Sequence, residues 1–320
     1  MKEKDVLVTL AGKNFINQSK QLFVSVFKNS SWTGDYLLLA HEIPDSDLVW
    51  FKERGVLIFK CKSINTEFEM RNSNQIYPNV TLSKFYLFKK YFKKWRKVVF
   101  LDSDIIVNFS LKPLLRFKGM AAPNSFSLQM KDQFIFSELN GFDFEKKYPS
   151  DSKVFCSGVM ILDTELINDK IFDEIINLHR KYFHFTKLGE EAILNLFFYK
   201  NWHKISHVYN FIPEREGLIN GVRFIAPIIH FACCKKPWEK SSPYFNEWMD
   251  NLKSAENINF KKHLKFERRW TKLKMFKLRF MVFLAEIAYF FDRKIGQLGI
   301  LLKKYLPFFY KKFRKIFYGR

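Results

Sequence analysis

Asp102 and Asp104 interrupt an otherwise apolar run, Lys97-Val-Val-Phe-Leu-Asp-Ser-Asp-Ile-Ile-Val107. Two carboxylates in such a run repel each other and lose hydration, and a divalent cation removes both costs. The run predicts a buried strand. In extended backbone residues i and i+2 share a side, so Asp102 and Asp104 would both offer oxygens to one cation while Ser103 faces away. The alternative is a strand-end turn in which each Asp caps a backbone N–H, and an Asp-X-Asp alone does not decide between the two. Further along, Ile228-Ile-His-Phe-Ala-Cys-Cys-Lys-Lys-Pro-Trp238 adds an imidazole and a lysine. His230 could complete a mixed oxygen and nitrogen set that suits Mn2+ with open positions for phosphate oxygens, and Lys236 could neutralise the same phosphates. On the other reading His230 is a satisfied core residue and Pro-Trp is packing.

Three weaker signals stand beside these. Phe155-Cys-Ser-Gly-Val-Met-Ile-Leu162 reads as a strand whose Ser157-Gly158 either lets backbone approach a ligand closely or marks a bulge. Glu190 and Glu191 open a helix after Gly189, where carboxylates favour the helix dipole without any catalytic role. Lys84, in Leu82-Ser-Lys-Phe85, could face a phosphate or simply be solvated.

The elements that must position these residues alternate. Val6 to Ala11 is an apolar strand, followed by a turn and a helical pattern through Phe15, Leu22, Phe23, Val26 and Phe27. Tyr36 to Ala40 and Val56 to Phe59 read as strands, with a short helix over Asp45 to Gly55. Thr81 to Trp95 reads as an amphipathic helix feeding the central strand, and Pro123 to Ser152 as an irregular region. Thr164 is expected to cap a long helix to about Phe185. Such alternation predicts a mainly parallel sheet with helices on both faces, and sheets of this kind bind ligands at the carboxyl ends of their strands, where Asp102 and Asp104 fall.

The ordered set Leu82-Ser-Lys84, Phe100-Leu-Asp-Ser-Asp104, Phe155-Cys-Ser-Gly-Val159, Glu190-Glu-Ala-Ile-Leu-Asn195, Tyr209-Asn210 and His230-Phe-Ala-Cys-Cys-Lys-Lys-Pro-Trp238 resembles glycosyltransferase family 8 over about residues 4 to 240. That family includes glycogenin and bacterial lipopolysaccharide galactosyl- and glucosyltransferases. The resemblance implies an α/β GT-A (Rossmann-like) fold, a UDP-sugar donor, Mn2+ (or Mg2+) and retention of anomeric configuration. It implies Asp102, Asp104 and His230 as metal ligands, Lys236 on the diphosphate and Lys84 near the donor. Leu10, Ala11, Gly12 and Lys13 fall where the family holds uracil and ribose, with Phe15 the nearest aromatic for the base. Ser103 and Ser157 stand inside the donor-binding motifs, and Glu190 and Glu191 become the expected catalytic carboxylates beside the sugar. The chain departs from the family at Cys156 (usually Asn), at Glu190-Glu191 (usually Asp-Gln) and at Cys233 (usually Gly), which leaves the donor sugar open.

Charge is uneven: residues 261 to 320 hold 18 Lys/Arg against 3 Asp/Glu, whereas residues 1 to 260 hold 36 against 29. This divides the chain into an expected catalytic domain, 1–260, and a basic helical tail, 261–320. Phe280 to Phe291 is apolar but too short to span a bilayer. Phe309, Phe313, Ile316 and Phe317 recur at helical spacing among Lys311, Lys312, Arg314 and Lys315, the pattern of a helix lying on an anionic membrane surface. Four cysteines, two of them adjacent, suit a reducing compartment. The N-terminus has no apolar signal region, so the expected location is cytoplasmic, peripheral on the inner face of the cell membrane. The expected acceptor is a glycan of lipopolysaccharide or capsule type, free or lipid-linked. A catalytically inactive sugar-nucleotide-binding protein is the alternative. A nucleic-acid-binding protein would explain the basic tail, but the tail's Phe and Leu content and the lack of a recognition motif argue against it.

Overall fold

A computed structural model of the chain describes residues 4–65, 79–139, 142–213, 223–232, 235–264, 266–293 and 307. The chain opens with β1 (Val6–Ala11), α1 (Ile16–Asn29), β2 (Asp35–His41), α2 (Asp45–Glu53), β3 (Leu57–Cys61) and β4 (Lys97–Leu101). These four strands lie parallel in the order β3-β2-β1-β4. Next come β5 (Ile105–Val107), β6 (Met120–Gln129), α3 (Met130–Gln133), α4 (Phe142–Lys147), β7 (Lys153–Phe155) and β8 (Val159–Asp163). The sheet continues β4-β8-β6-β7 with antiparallel pairs. After α5 (Ile171–Tyr182) and α6 (Glu190–Phe197), β9 (Trp202–Ile205) adds parallel to β6. β10 (Ile228–His230) then pairs antiparallel with β5 in a separate small sheet, and α7 (Phe245–Ser254) and α8 (Lys272–Arg293) complete the described chain.

Every residue of β1 is buried, because the sheet carries apolar cover on both faces. Leu7 and Ala11 join Leu22, Phe23 and Phe51 of α1 and α2 on one side. Val6, Val8 and Leu10 meet Phe85, Phe88, Ile175 and Ile193 on the other. This alternation of side chains along the strand anchors the carboxyl ends of β1 and β4 side by side.

Several elements differ from the sequence-based expectation. Lys97 to Val107 is not one strand: β4 belongs to the large sheet and β5 to the small one, so Asp102-Ser103-Asp104 is a turn that carries the chain between sheets. Likewise Phe155 to Leu162 breaks at Cys156–Gly158 between β7 and β8. Thr81 to Trp95 is not an α-helix but two 3-10 segments, Asn79–Phe88 and Lys90–Lys94. Leu82, Ser83, Lys84 and Phe85 are consecutive and all buried, which a helix with one solvated face would not allow. Pro123 lies within β6 rather than in an irregular loop. Thr164 does not cap α5; its hydroxyl donates to the carbonyls of Trp95 and Arg96, and Asn168 accepts from the N–H groups of Lys170 and Ile171 instead.

The region beyond residue 260 is in part docked. Helix α8 turns Leu278 and Ala285 onto a third cluster with Ile106, Phe211, Ile229 and Trp248, and Met275 and Val282 pack beside them. Leu273, Phe276, Phe280 and Phe283 on the opposite side are exposed. The expected tail residues Phe309 to Phe317, like Cys233, lie outside the described residues. Among the described residues no helix is long and apolar enough to cross a membrane.

Candidate active site

Two sheets meet at the turn Asp102-Ser103-Asp104, and that meeting builds the site. Pairing of Ile105 with His230 across β5 and β10 brings the imidazole to the carboxylates, and the Asp102 N–H donates to the Gly158 carbonyl at 2.9 Å. His230 Nε2 lies 3.2 Å from Asp104 Oδ1 and 3.9 Å from Asp102 Oδ2. One ligand atom from each of the three residues falls within 4.8 Å of the others. The other ring nitrogen of His230, Nδ1, is 2.7 Å from Asn210 Oδ1. As donor to that oxygen it leaves the Nε2 lone pair for a cation, the usual support of a ligating histidine. The backbone of Gly158 comes so close that a Cβ there would lie 2.3 Å from His230 Cε1 and 2.9 Å from Asp102 Oδ2, two of the three candidate metal ligands.

The two carboxylates draw positive charge around them. Burial opposes charge on all three groups, yet Asp104 is held well below the ordinary carboxylate range because His230 and Lys236 face it. Burial would lower His230, but Asp104 beside it pushes the imidazole up to about 10. Burial raises Asp102, with Lys84 and His230 offsetting it in part. Two carboxylates and an imidazole nitrogen, from which a divalent ion such as Mn2+ or Mg2+ would displace the Nε2 proton, are a donor set for that ion.

Around this set lies a cleft lined by all but one of the expected residues: Leu10, Ala11, Gly12, Lys84, Ser103, Ser157, Glu190, Glu191 and Lys236. Lys13 is the exception, exposed on the turn beyond Gly12. Lys236 Nζ bonds Asp104 Oδ2 and the Phe231 carbonyl, each at 2.7 Å. Lys84 is 3% exposed and sits behind the carboxylates, with Nζ 3.0 Å from Asp102 Oδ1 and 2.8 Å from Glu190 Oε1. Burial alone would lower its pKa; the two anions raise it instead.

The adjacent glutamates have separate environments. Glu190 is buried against Lys84, and its pKa is lowered despite burial. Glu191 is half-buried, and burial pushes it up to about 7. Its oxygens accept from the Ser157 N–H and from Gln133 Nε2, each at 2.9 Å. Gly189, at φ +57°, supplies the left-handed turn that starts α6 here.

Sequence reasoning missed Ser125 and Leu128 of β6, which line the cleft, and assigned no role to Asn210 or Gln133. Asn210 belongs to the Tyr209-Asn210 motif; Ser125, Leu128 and Gln133 belong to none. Phe15 stands at the cleft wall with its ring edge-on to Trp238 at 6.3 Å.

Residues 7–242 match the model of glycosyl transferase family 8. Similar sequences include the glycosyltransferases GlyF and GlyE of Streptococcus pneumoniae serotype 4, both 24% identical, over 65% and 71% of this chain and 51% and 55% of theirs. The chain therefore spans about half the length of these curated relatives. Among solved structures, the galactosyltransferase LgtC in complex with donor and acceptor sugar analogs aligns over 78% of this chain and 95% of its own, with TM-score 0.59 at 14% identity. Pneumococcal GlyE aligns over 79% of this chain and 62% of its own, with TM-score 0.54 at 21% identity. At such identities the likeness is one of fold, the GT-A arrangement of a mainly parallel sheet with its site at the strand ends. With the family match covering most of the chain, this protein belongs to glycosyl transferase family 8.

Proposed function

We propose that this chain is a cation-dependent, retaining glycosyltransferase that moves a hexosyl group from a UDP-sugar to a glycan acceptor of lipopolysaccharide or capsule type. The observation that carries the reading is the convergence of Asp102, Asp104 and Asn210-supported His230 beside Lys236 in one cleft. Asp102, Asp104 and His230 would hold Mn2+ or Mg2+, which supplies positive charge to the diphosphate as it leaves. Lys236, partly exposed and bonded to Asp104, adds a second cation to the same oxygens. Leu10, Ala11 and Gly12 form the wall for the nucleoside. Glu190 is neutralised by Lys84 and keeps that lysine on Asp102, which leaves Glu191 as the carboxyl that meets the sugar.

We infer that α8 rests on the inner face of the cell membrane and so brings the site to its acceptor. Residues 273, 276, 280 and 283 share one helix face and residues 275, 278, 282 and 285 the opposite one; the first set is exposed Leu and Phe, the second is turned inward. Exposed Lys272, Lys277 and Arg279 flank the apolar face, and each basic residue near an anionic leaflet contributes about 1 kcal/mol.

Incubation with a panel of UDP-sugars and Mn2+, read by UDP release, tests the activity. Release from one preferred donor is expected. Tight UDP binding with no release from any donor would favour the inactive sugar-nucleotide-binding reading.

A further inference from the structure

Gln133 belongs to no motif, yet it is fully buried and its side chain points at Glu191. Its place is built with care. Gln129 and Asp132 form a reciprocal capping box at the start of α3, and the Gln133 carbonyl accepts from the Lys187 N–H at 2.8 Å. Phe134 bridges to Thr186, and the Ile135 N–H donates to the Phe185 carbonyl. The segment that carries Gln133 is thus stitched to the chain that enters α6, and the spacing between Gln133 and Glu191 is held by backbone on both sides. Nε2 donates to Glu191 Oε1 at 2.9 Å, while Gln133 Oε1 is buried with no hydrogen-bond partner among the described residues.

A buried amide with one orphan end can turn over without breaking another bond. In one orientation it donates to an ionised carboxylate; in the other its oxygen accepts from a protonated one.

We propose that Gln133 is the positioning residue of Glu191, holding that carboxyl at the cleft in both of its charge states. The inference rests on the transferase reading for what Glu191 faces, but the contact itself does not. Across Glu191 the Ser157 N–H donates to Oε2 at 2.9 Å, with the Ser157 hydroxyl farther off at 3.4 Å, so Gln133 is the close partner of Oε1 that can reverse its role when a proton arrives. The charged groups facing Glu191 are Glu190 on its own helix, Asp102 at the end of β4 and, opposing both, Lys84 from the 3-10 segment. The raised pKa of Glu191 agrees with a carboxyl that changes state near neutral pH.

The test compares the full chain with Gln133→Met, which keeps the volume and removes both donor and acceptor. Carbon-13 titration of labelled glutamate side chains, with Glu191→Gln identifying the resonance, reads the Glu191 midpoint directly. Gln133→Met loses both bonds, and because the bond to the ionised carboxylate is the stronger of the two, the midpoint should rise by about one pH unit. Under donor hydrolysis kcat should fall roughly 10-fold or more, with UDP affinity within about 2-fold of wild type, and the midpoint of the pH profile should move with the resonance. Gln133→Glu, whose protonated acid can also donate and accept, should recover part of kcat below neutral pH. A Q133M protein with lower melting temperature but unchanged midpoint and kcat would overturn the proposal, leaving Gln133 a packing residue. If wild type hydrolyses no donor but the midpoint still shifts in Q133M, the transferase reading fails and the Gln133 assignment stands.

Discussion

Replacing Gly158 with alanine tests how tightly the metal set is closed. The new Cβ would lie 2.3 Å from His230 Cε1, 3.0 Å from His230 Nδ1 and 2.9 Å from Asp102 Oδ2. Ordinary contact distances between carbons are about 3.5 Å, so the ring would have to retreat by roughly 1 Å. It has little room, because Asn210 holds Nδ1 at 2.7 Å and β10 is paired to β5. Metal sites tolerate displacements of about 0.2 Å, so the shift removes His230 from the set. Overpacking should cost on the order of 1–3 kcal/mol of stability, and Mn2+ affinity should fall about 10–100-fold. Calorimetric titration of Mn2+ in the presence of UDP, with a circular dichroism melt to show that G158A is folded, gives both numbers. A folded G158A protein with wild-type Mn2+ affinity would refute the claim that His230 and Asp102 close on one ion.

Lys84→Met removes the cation between Asp102 and Glu190 and should cost about 3–5 kcal/mol, with partial recovery in K84M/E190Q; a thermal melt equal to wild type would contradict the buried triad. Glu191, raised to about 7 from an ordinary 4.5, contributes stability that is present below about pH 4.5 and lost as pH rises to about 7. Glu191→Gln should therefore be more stable than wild type at pH 8 by up to about 3 kcal/mol, with the gap closing by pH 4; a gap independent of pH would contradict this. Phe276→Ser and Phe280→Ser should each weaken sedimentation with anionic vesicles by roughly 10-fold or more, and unchanged sedimentation of the double variant would remove α8 as the membrane face.

How much of this is legible in the sequence depends on whether one strand or two elements carry the signal. β1 and α1 are readable because apolar residues run without interruption and then at helical spacing. The Asp102-Ser103-Asp104 turn reads as strand because the apolar flanks on both sides give no sign that Ile105 to Val107 joins β10 instead of continuing beside β1. Lysines between aromatics in Thr81 to Trp95 imitate an amphipathic helix, yet Lys84 is buried by its two anions, and spacing carries no record of a partner so far away in the chain. For the same reason Glu190 and Glu191 look equivalent in sequence; only Lys84 on one side and Gln133 on the other separate them. Gln133 has no period, motif or neighbouring site residue to mark it.

The central claim is that Asp102, Asp104 and His230 hold one divalent ion that receives the donor's diphosphate. Calorimetry of UDP binding with Mn2+, with chelator, and in Asp102→Asn, Asp104→Asn and His230→Ala variants measures it directly. UDP should bind the wild-type chain with Mn2+ and lose most of its affinity with chelator or in any of the three variants. Undiminished UDP binding in the D102N/D104N double variant would contradict the account.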